Sequence, residues 1–310
     1  MIGESSSPRA RRPPFNDQDA DLIIRSSDQV HFHVHKLILA KASPVFRDMM
    51  TLPQSSTGSE GLDPPVVDVT EHSKTLDMLL CLSYPTTPPF QGLDGLWQVL
   101  EAASKYQMDS AREHVRNYLS GFVHEAPMRV YALACGYGFD DLAQTVAAHT
   151  LSAPDALLQE ANVEELELIS ARTYDRLLRY RQRCSDAASA VTDVPRWCRT
   201  PHWIPNCNNP DIFAFFQCQE CANRRHKLWI SGCHRYPTSY WLEYMERTKA
   251  ALKTQPHAPV VSSSAMLLPV VQHASKCSFC SERIMDDLMR FAELLEQEVA
   301  RVVSEVKLSL

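Results

Sequence analysis

Two cysteine pairs in the C-terminal half of the chain have the residue type and spacing of metal ligands. Cys218 pairs with Cys221, and Cys277 with Cys280, each across two intervening residues. Two C-x-x-C turns can supply four thiolates, which suffice for a tetrahedral structural zinc site. The 55 residues between the pairs exceed the roughly 15 to 20 of compact zinc motifs, so the chain must fold back. The pattern predicts one structural zinc ion, with core packing of reduced cysteines as the alternative.

Other cysteines and histidines are less regularly spaced. A second set of candidate metal ligands falls in the same half of the chain: Cys198, His202, Cys207, Cys233 and His234. His31, His33 and His35 alternate along a predicted strand, so their side chains share one face. Alternating histidines can bind a metal, but the same pattern occurs at an ordinary strand edge, and both interpretations stay open.

Sequence motifs of catalysis are missing. The chain has no G-x-S-x-G nucleophile motif, no glycine-rich phosphate loop and no H-E-x-x-H metal motif. Nine glycines in 310 residues leave few positions at which a backbone can wrap closely around a phosphate. We therefore predict no catalytic residues, no cofactor besides zinc, and a protein that is not an enzyme.

Basic residues follow the first cysteine pair directly. Arg224, Arg225 and Lys227 belong to the region from Pro195 to Met285, which has 11 Lys/Arg against 5 Asp/Glu, while the whole chain carries −6. Four of the five tryptophans also lie there. A basic patch with aromatic residues is typical of a nucleic-acid surface, although many solvated loops have this charge. Nucleic-acid binding is therefore an alternative function, below protein binding.

The N-terminal part of the chain has the periodicities of a small mixed fold. Residues 19–50 predict a strand, a tight turn, a second strand and two short helices. Val30, Phe32 and Val34 alternate with polar residues, as in a half-buried strand. Pro44 suits the first position of the second helix.

This segment resembles the opening of a BTB/POZ domain. The resemblance is carried by these residues: Asp21, Leu22, His35, Lys36, Leu37, Leu39, Ser43, Phe46 and Met49. It implies a small sheet flanked by helices that binds proteins and catalyses nothing. In dimers of this family an acidic residue near the first strand faces a basic residue after the histidine. The resemblance thus implies a self-association surface containing Asp21, His35 and Lys36, with a solvated Asp and a surface Lys as the alternative.

A second role in this family is the recruitment of a cullin scaffold for ubiquitin transfer. Such adaptors often have an acidic residue shortly after the second helix, where this chain has Leu52. The nearest acid, Glu60, lies in a predicted loop, and the kelch or MATH domain that selects substrates is missing. Cullin association is thus an alternative, and other protein partners are favoured.

The whole chain is predicted to be α+β and mainly α. Its predicted segments are a disordered tail (1–16), a BTB/POZ domain (17–120), a helical extension (121–190), a cysteine- and tryptophan-rich module (195–281) and an amphipathic helix (282–308). Within the module, Ile212 to Phe216 predicts a strand and Thr254 to Ser264 a loop. The last helix repeats apolar residues at steps of three and four, so its seam must be covered.

The order of these segments also resembles a class of BTB-domain proteins abundant in mushroom-forming fungi. The residues in common are RTYDRLLRYRQRC, the pair Cys218 and Cys221, and the closing C-x-x-C before an acidic helix. This resemblance implies an architecture and no mechanism.

The chain shows no signal for membrane insertion or export. It lacks an apolar run of 18 residues, the length that a membrane helix needs. The polar, proline-rich N-terminus lacks the apolar core of a signal peptide. We expect an intracellular protein, cytoplasmic or nuclear, whose ten cysteines stay reduced.

Overall fold

The computed structural model describes residues 9–10, 13–51, 64–153, 163–193, 213–230 and 233–309. They belong to two compact units. The first comprises Met1–Val123 with Ala132–Leu142, and the second comprises His124–Tyr131 with Ala143–Leu310. The sheet predicted from the N-terminal pattern lies in the first unit, and the two cysteine pairs lie in the second.

The first unit contains a four-stranded sheet in the order β1-β3-β2-β4. Its strands are β1 (Arg9–Ala10), β2 (Leu22–Arg25), β3 (Val30–Val34) and β4 (Val66–Asp68). β2 and β3 are antiparallel, whereas β1 joins β3 and β4 joins β2 in parallel. The alternation predicted for the second strand is confirmed, because Phe32 and Val34 are buried while the histidines between them are half-buried.

Part of the tail expected to be disordered over residues 1–16 has regular structure. Arg9–Ala10 forms β1, and Phe15 is only 1% exposed. The Phe15 ring packs against Phe32 at 5.7 Å and Tyr84 at 5.3 Å between centroids. Its carbonyl also accepts a hydrogen bond of 3.0 Å from the backbone N–H of His33. The expectation of a disordered tail is therefore corrected for Phe15. This residue belongs to the core, because burying its large aromatic ring is favourable even though the adjacent residues are polar.

Helices cover the sheet of the first unit. They are α1 (Lys36–Ala42), α2 (Pro44–Thr51), α3 (Ser73–Cys81), α4 (Leu96–Lys105) and α5 (Asp109–Ser120). The buried Ser43 fixes the junction of α1 and α2, since its Oγ accepts from the N–H of Phe46 (3.0 Å) and donates to the Tyr106 carbonyl (2.5 Å). Phe46 stacks on Tyr106 at 4.4 Å. The predicted helix hairpin is thus held by one buried hydroxyl and one aromatic pair.

Asp28, in the turn between β2 and β3, holds the start of α3. Its carboxylate accepts the backbone N–H of Ser73 (2.8 Å) and the Ser73 hydroxyl (2.7 Å). Partial burial opposes ionisation, but these hydrogen bonds outweigh it and lower the pKa of Asp28 to about 2. A depressed folded pKa adds stability that is complete above the unfolded value of about 3.9 and is lost as pH falls towards 2.

Asp28→Asn is therefore expected to lower the free energy of unfolding by about 1 kcal/mol at pH 7. The wild-type advantage should shrink towards zero between pH 4 and pH 2, because the wild-type carboxylate becomes protonated there. Calorimetric unfolding of both proteins across this pH range measures the difference. Asp48→Asn, a control at an exposed carboxylate on α2, should leave the profile unchanged. If Asp28→Asn loses the same stability at every pH, the ionised Asp28 carboxylate is not the source of the stabilisation.

The described residues of the second unit form helices and short 3-10 turns, with one β-hairpin. Helices assigned to it wholly or in part are α6 (Pro127–Gly136), α7 (Asp140–His149), α8 (Ala171–Ala190), α9 (Ser239–Thr254), α10 (Ser264–Ala274), α11 (Ser278–Ser281) and α12 (Ile284–Glu305). β5 (Leu228–Ile230) pairs with β6 (Cys233–Arg235) in antiparallel register. The predicted fold class, α+β and mainly α, is confirmed.

Two local predictions in this unit are corrected. The strand expected over Ile212 to Phe216 is a 3-10 turn, Ala214–Phe216, in which successive aromatic rings are all buried. A strand would have turned alternate rings outward. The loop expected over Thr254 to Ser264 contains a 3-10 turn, Ala258–Ser262, and leads into α10. That helix was missed because Pro269 lies inside it and because a proline there costs a backbone hydrogen bond.

The closing helix α12 packs within its own unit. Its inward residues recur at steps of three and four, and they include Leu288, Phe291, Leu295 and Val299, all buried. They join the aromatic cluster of Trp241 and its neighbours on α9. The seam predicted from the sequence is therefore covered by the same chain.

Candidate functional site

Four sulfur atoms meet in the second unit. The Sγ atoms of Cys218, Cys221, Cys277 and Cys280 all lie within 4.8 Å of one another. Across the two pairs, Cys218 is 3.7 Å from Cys277 and Cys221 is 3.9 Å from Cys280. A tetrahedral site with Zn–S bonds near 2.3 Å has edges of about 3.8 Å between its sulfur atoms. The cluster therefore matches the dimensions of a four-thiolate zinc site.

Short turns present each cysteine pair. The first pair follows the 3-10 turn Ala214–Phe216, where the Cys218 N–H donates to the Ala214 carbonyl at 3.0 Å. The Cys221 N–H then donates to the Cys218 Sγ at 3.4 Å. The second pair brackets the single-turn helix α11, which begins directly after Cys277 and includes Cys280. In both pairs two residues of tight turn direct the sulfur atoms to one side, as the spacing predicted.

A buried carboxylate on α12 holds the turn that leads to the first cysteine pair. Asp287 is 3% exposed, and its Oδ2 accepts the Ala214 N–H at 2.7 Å. Arg283, one turn earlier, approaches the same carboxylate at 3.7 Å and donates to the Gln217 side chain at 3.2 Å. Sequence reasoning missed Asp287. The available signal was its place directly before Leu288 on the apolar seam, where a charge must have a partner.

Tyr240 on α9 supports the cluster from a third direction. Its hydroxyl donates to the Cys280 Sγ at 3.3 Å. Burial, reinforced by this hydrogen bond, raises the pKa of Tyr240, so the hydroxyl keeps its proton at ordinary pH. Burial also raises the pKa of the Cys280 thiol, and the bond from Tyr240 offsets part of that effect. Such outer hydrogen bonds orient metal ligands.

Without a metal, the pKa values of Cys218 and Cys221 shift in opposite directions. Burial opposes ionisation of Cys218, but hydrogen bonds from the Cys221 N–H and the neighbouring thiols outweigh it and lower the pKa of Cys218. Burial, followed by thiol hydrogen bonds, raises the pKa of Cys221 to about 12. A thiolate therefore forms more readily at Cys218 than at Cys221. The other protons must leave when a cation takes the place of the thiol hydrogen bonds.

The second set of candidate metal ligands lies mostly outside the described residues. Cys198, His202 and Cys207, with the side chain of Cys233, lie outside the described residues. His234 is exposed on β6, and its ring meets that of Trp229 at 4.6 Å. Within the described ranges a second group of close metal-ligand atoms consists of Asp17, Asp19 and His35. Its two carboxylates are at least partly exposed and did not stand out in the sequence, since such acids are common on surfaces.

In the first unit, the residues expected to form a charged interface have local partners. The Asp21 carboxylate accepts the backbone N–H of Lys36 at 2.7 Å and so caps α1. The backbone N–H of His35 donates to the Tyr84 hydroxyl at 2.8 Å, and its ring Nε2 lies 3.5 Å from Asp19. Asp21 is exposed, while His35 and Lys36 are half-buried. Their place in an interface stays a prediction.

The alternating histidines share the face opposite the buried residues of β3. His31 and His33 are both half-buried. Burial, with the nearby Arg25 charge, lowers the pKa of His31. These histidines do not form a close set of ligand atoms with His35 among the described residues, which favours an ordinary strand face, and β3 lies between β1 and β2 rather than at the edge of the sheet.

The basic residues that follow the first cysteine pair are solvent-facing. Arg224, Arg225 and Lys227 are exposed in the connection to β5. The connection is anchored by the Asn223 N–H, which donates to the Pro237 carbonyl at 2.7 Å. The structure thus places these residues on one short, fixed segment beside the cysteine cluster.

Comparison with known families assigns the first unit. The family model described as "BTB/POZ domain" matches residues 14–122. Residues 14–122 are a BTB/POZ domain. None of the curated proteins compared with the chain matches it. The predicted domain type is confirmed, and the resemblance of the remaining segments to the fungal class stays a prediction.

The BTB/POZ domain is a protein-interaction module without catalysis of its own. The positions that bear on cullin binding, Leu52 and Glu60, lie outside the described residues. Within the described part of the chain, no helix combines the length and apolar character that a bilayer crossing requires.

Proposed function

We propose that this chain is a non-catalytic protein-interaction protein. Its BTB/POZ domain associates with a second copy of the chain, and its C-terminal unit is a module stapled by one zinc ion that presents a second binding surface. The observation that carries the proposal is the combination of a BTB/POZ domain at residues 14–122 with four converging cysteines in the other unit.

The cysteine cluster supports a structural rather than a catalytic zinc ion. Catalytic sites keep one position open for water or substrate, whereas four protein thiolates fill a tetrahedral shell. Three of the four cysteines are buried, and Cys221 is half-buried. Reduced thiols of this kind also favour an intracellular location, because oxidising compartments promote disulfides.

A groove on the BTB/POZ domain supports association with a second copy. The groove has a volume of about 500 Å³, and its lining includes Leu37, Ile38, Leu82, Met108 and Ala111. Leu37 is 70% exposed at the start of α1, next to the predicted interface residues His35 and Lys36. An exposed leucine beside an apolar groove gains free energy when another surface covers it.

Leu37→Glu is expected to convert a self-associated protein to single chains. Burying an unpaired carboxylate at the contact costs several times more free energy of association than the leucine contributes. Light scattering coupled to gel filtration should give about twice the chain mass of 35.1 kDa for the unmodified protein, and one chain mass for the variant.

The matched control is Leu268→Glu on α10, where the leucine is 55% exposed. This variant should keep the doubled mass. A single-chain mass for the unmodified protein, or a doubled mass for Leu37→Glu, would contradict self-association through the groove.

A further inference from the structure

The β5–β6 hairpin forms a cleft beside the first cysteine pair. The cleft has a volume of about 390 Å³, and its polar lining includes Gln217, Gln219, Arg224, His234, Arg235 and Tyr236. This volume lies near the lower end of the roughly 300 to 1,000 Å³ typical of small-ligand sites. The cleft can therefore take one unstacked nucleotide or a group of similar size, but not a duplex.

The charge of this cleft suits an anion. Arg224 and Arg235 contribute two guanidinium groups, and the described lining residues include no carboxylate. Arg225 and Lys227 are exposed on the adjoining segment. The nearest acid in sequence, Glu220, is not among the lining residues of the cleft, and its carboxylate lies 3.5 Å from the Cys277 Sγ.

An aromatic ring stands at the same surface without a place in the core. Trp229 is 57% exposed, and its ring makes a T-shaped contact with the His234 ring at 4.6 Å between centroids. Tyr236 is 39% exposed at the cleft. The exposure of large aromatic rings to water is unfavourable. A nucleobase of any type can stack on such a ring and cover it.

The protein holds this surface in a fixed shape. Ala222 bridges to Thr238, and the Ser239 N–H donates to the Cys221 carbonyl at 3.3 Å. Leu228 packs on the core of the unit from the other side of the hairpin. Preorganised basic and aromatic groups lose little freedom when a ligand binds.

We propose that this cleft binds single-stranded nucleic acid. Arg224 and Arg235 contact the phosphates, with Arg225 and Lys227 along the path of the strand, and a base stacks on Trp229. An acidic peptide would satisfy the guanidinium groups but would leave the exposed ring of Trp229 uncovered. A strand with flipped-out bases satisfies both features.

The first experiment uses the full-length protein with equimolar zinc and fluorescein-labelled 12-nucleotide oligo(U) and oligo(dT). Anisotropy titrations between 50 and 200 mM salt should show binding that weakens with salt. A log–log slope of about −2 is expected if three phosphates are neutralised, at about −0.7 each. Trp229→Ala should weaken binding about tenfold, while Trp229→Phe should retain most of it because a stacking ring remains.

The charge test compares two arginines with different positions. Arg224→Glu should weaken binding at least tenfold and flatten the salt slope. Arg172→Glu makes the same charge change at an exposed position on α8 and should leave the affinity unchanged. Polyglutamate and a 12-base-pair duplex serve as competing polyanions and should displace the strand poorly.

Three results would overturn the proposal. One is no binding of either oligonucleotide at 50 mM salt. Another is unchanged affinity after Trp229→Ala, and the third is displacement by polyglutamate as effective as by an unlabelled strand. The last two would make the surface a general anion patch. None of these outcomes bears on self-association of the BTB/POZ domain, which the mass measurements test separately.

Discussion

Replacing Cys277 with serine is expected to abolish zinc binding and to destabilise the cysteine-containing part of the second unit. The serine hydroxyl stays protonated and does not replace a thiolate ligand, so only three ligands remain. Structural zinc contributes about 10 to 16 kcal/mol in small metal-dependent domains. The effect should be smaller here, because α9 and α12 already share an aromatic core.

Elemental analysis of purified protein should give about one zinc per chain for the wild type and almost none for the variant. Circular dichroism and calorimetry should show a lower unfolding temperature for the variant, with the BTB/POZ domain still folded. Adding a strong chelator to the wild type should reproduce both changes.

Cys184→Ser provides the matched control. Cys184 is a fully buried cysteine of the same unit, but it lies on α8 and does not belong to the cluster. This variant should lose a little stability from its altered core and keep its zinc. If the wild-type protein contains no zinc, or if Cys277→Ser still contains one zinc per chain, the four cysteines serve only to pack the core.

The parts of the fold that were predictable from sequence are those governed by neighbouring residues. The β2–β3 hairpin follows from the alternation that ends at Val34, and the start of α2 follows from Pro44. The C-x-x-C turns are equally local, because two residues suffice to aim both thiols in one direction. These features need no knowledge of distant contacts.

The missed features depend on residues far apart in the chain. Asp287 accepts a hydrogen bond from Ala214, 73 residues away, and on a helical wheel it resembles any acid beside an apolar seam. Phe15 lies in a proline-rich and polar stretch, but Phe32 on β3 and Tyr84 in the turn after α3 pack against it. The sequence predicts that the two cysteine pairs lie together only if the chain between them folds back. Tertiary packing, which the local sequence does not reveal, brings the pairs together.

The predicted interface shows a different limit. Family resemblance pointed to Asp21 and Lys36 as facing charges, yet the Asp21 carboxylate binds the Lys36 backbone. The sequence pattern shows that an acidic and a basic residue lie near the start of the same helix. It does not distinguish a helix cap from a contact between chains, because both uses favour an acid at that position.

Asp287→Ala is expected to destabilise the second unit by about 2 to 3 kcal/mol and to weaken zinc binding by about tenfold. The stability loss follows because the Ala214 N–H would be buried without its acceptor and Arg283 would lose its nearby carboxylate. The affinity loss follows because the turn that carries Cys218 begins at that same N–H. Asp287→Asn, which keeps an acceptor oxygen, should recover most of the zinc affinity.

Competition with a chromophoric zinc chelator measures the affinity, and calorimetry of the zinc-loaded protein measures the stability. Asp286→Ala is the matched control, since Asp286 is the exposed neighbour on the same helix and should change neither quantity. If Asp287→Ala loses stability but binds zinc as tightly as the wild type, the carboxylate stabilises the unit without positioning the zinc ligands. A parallel loss that Asp287→Asn reverses for zinc would show that α12 positions the first cysteine pair through this one hydrogen bond.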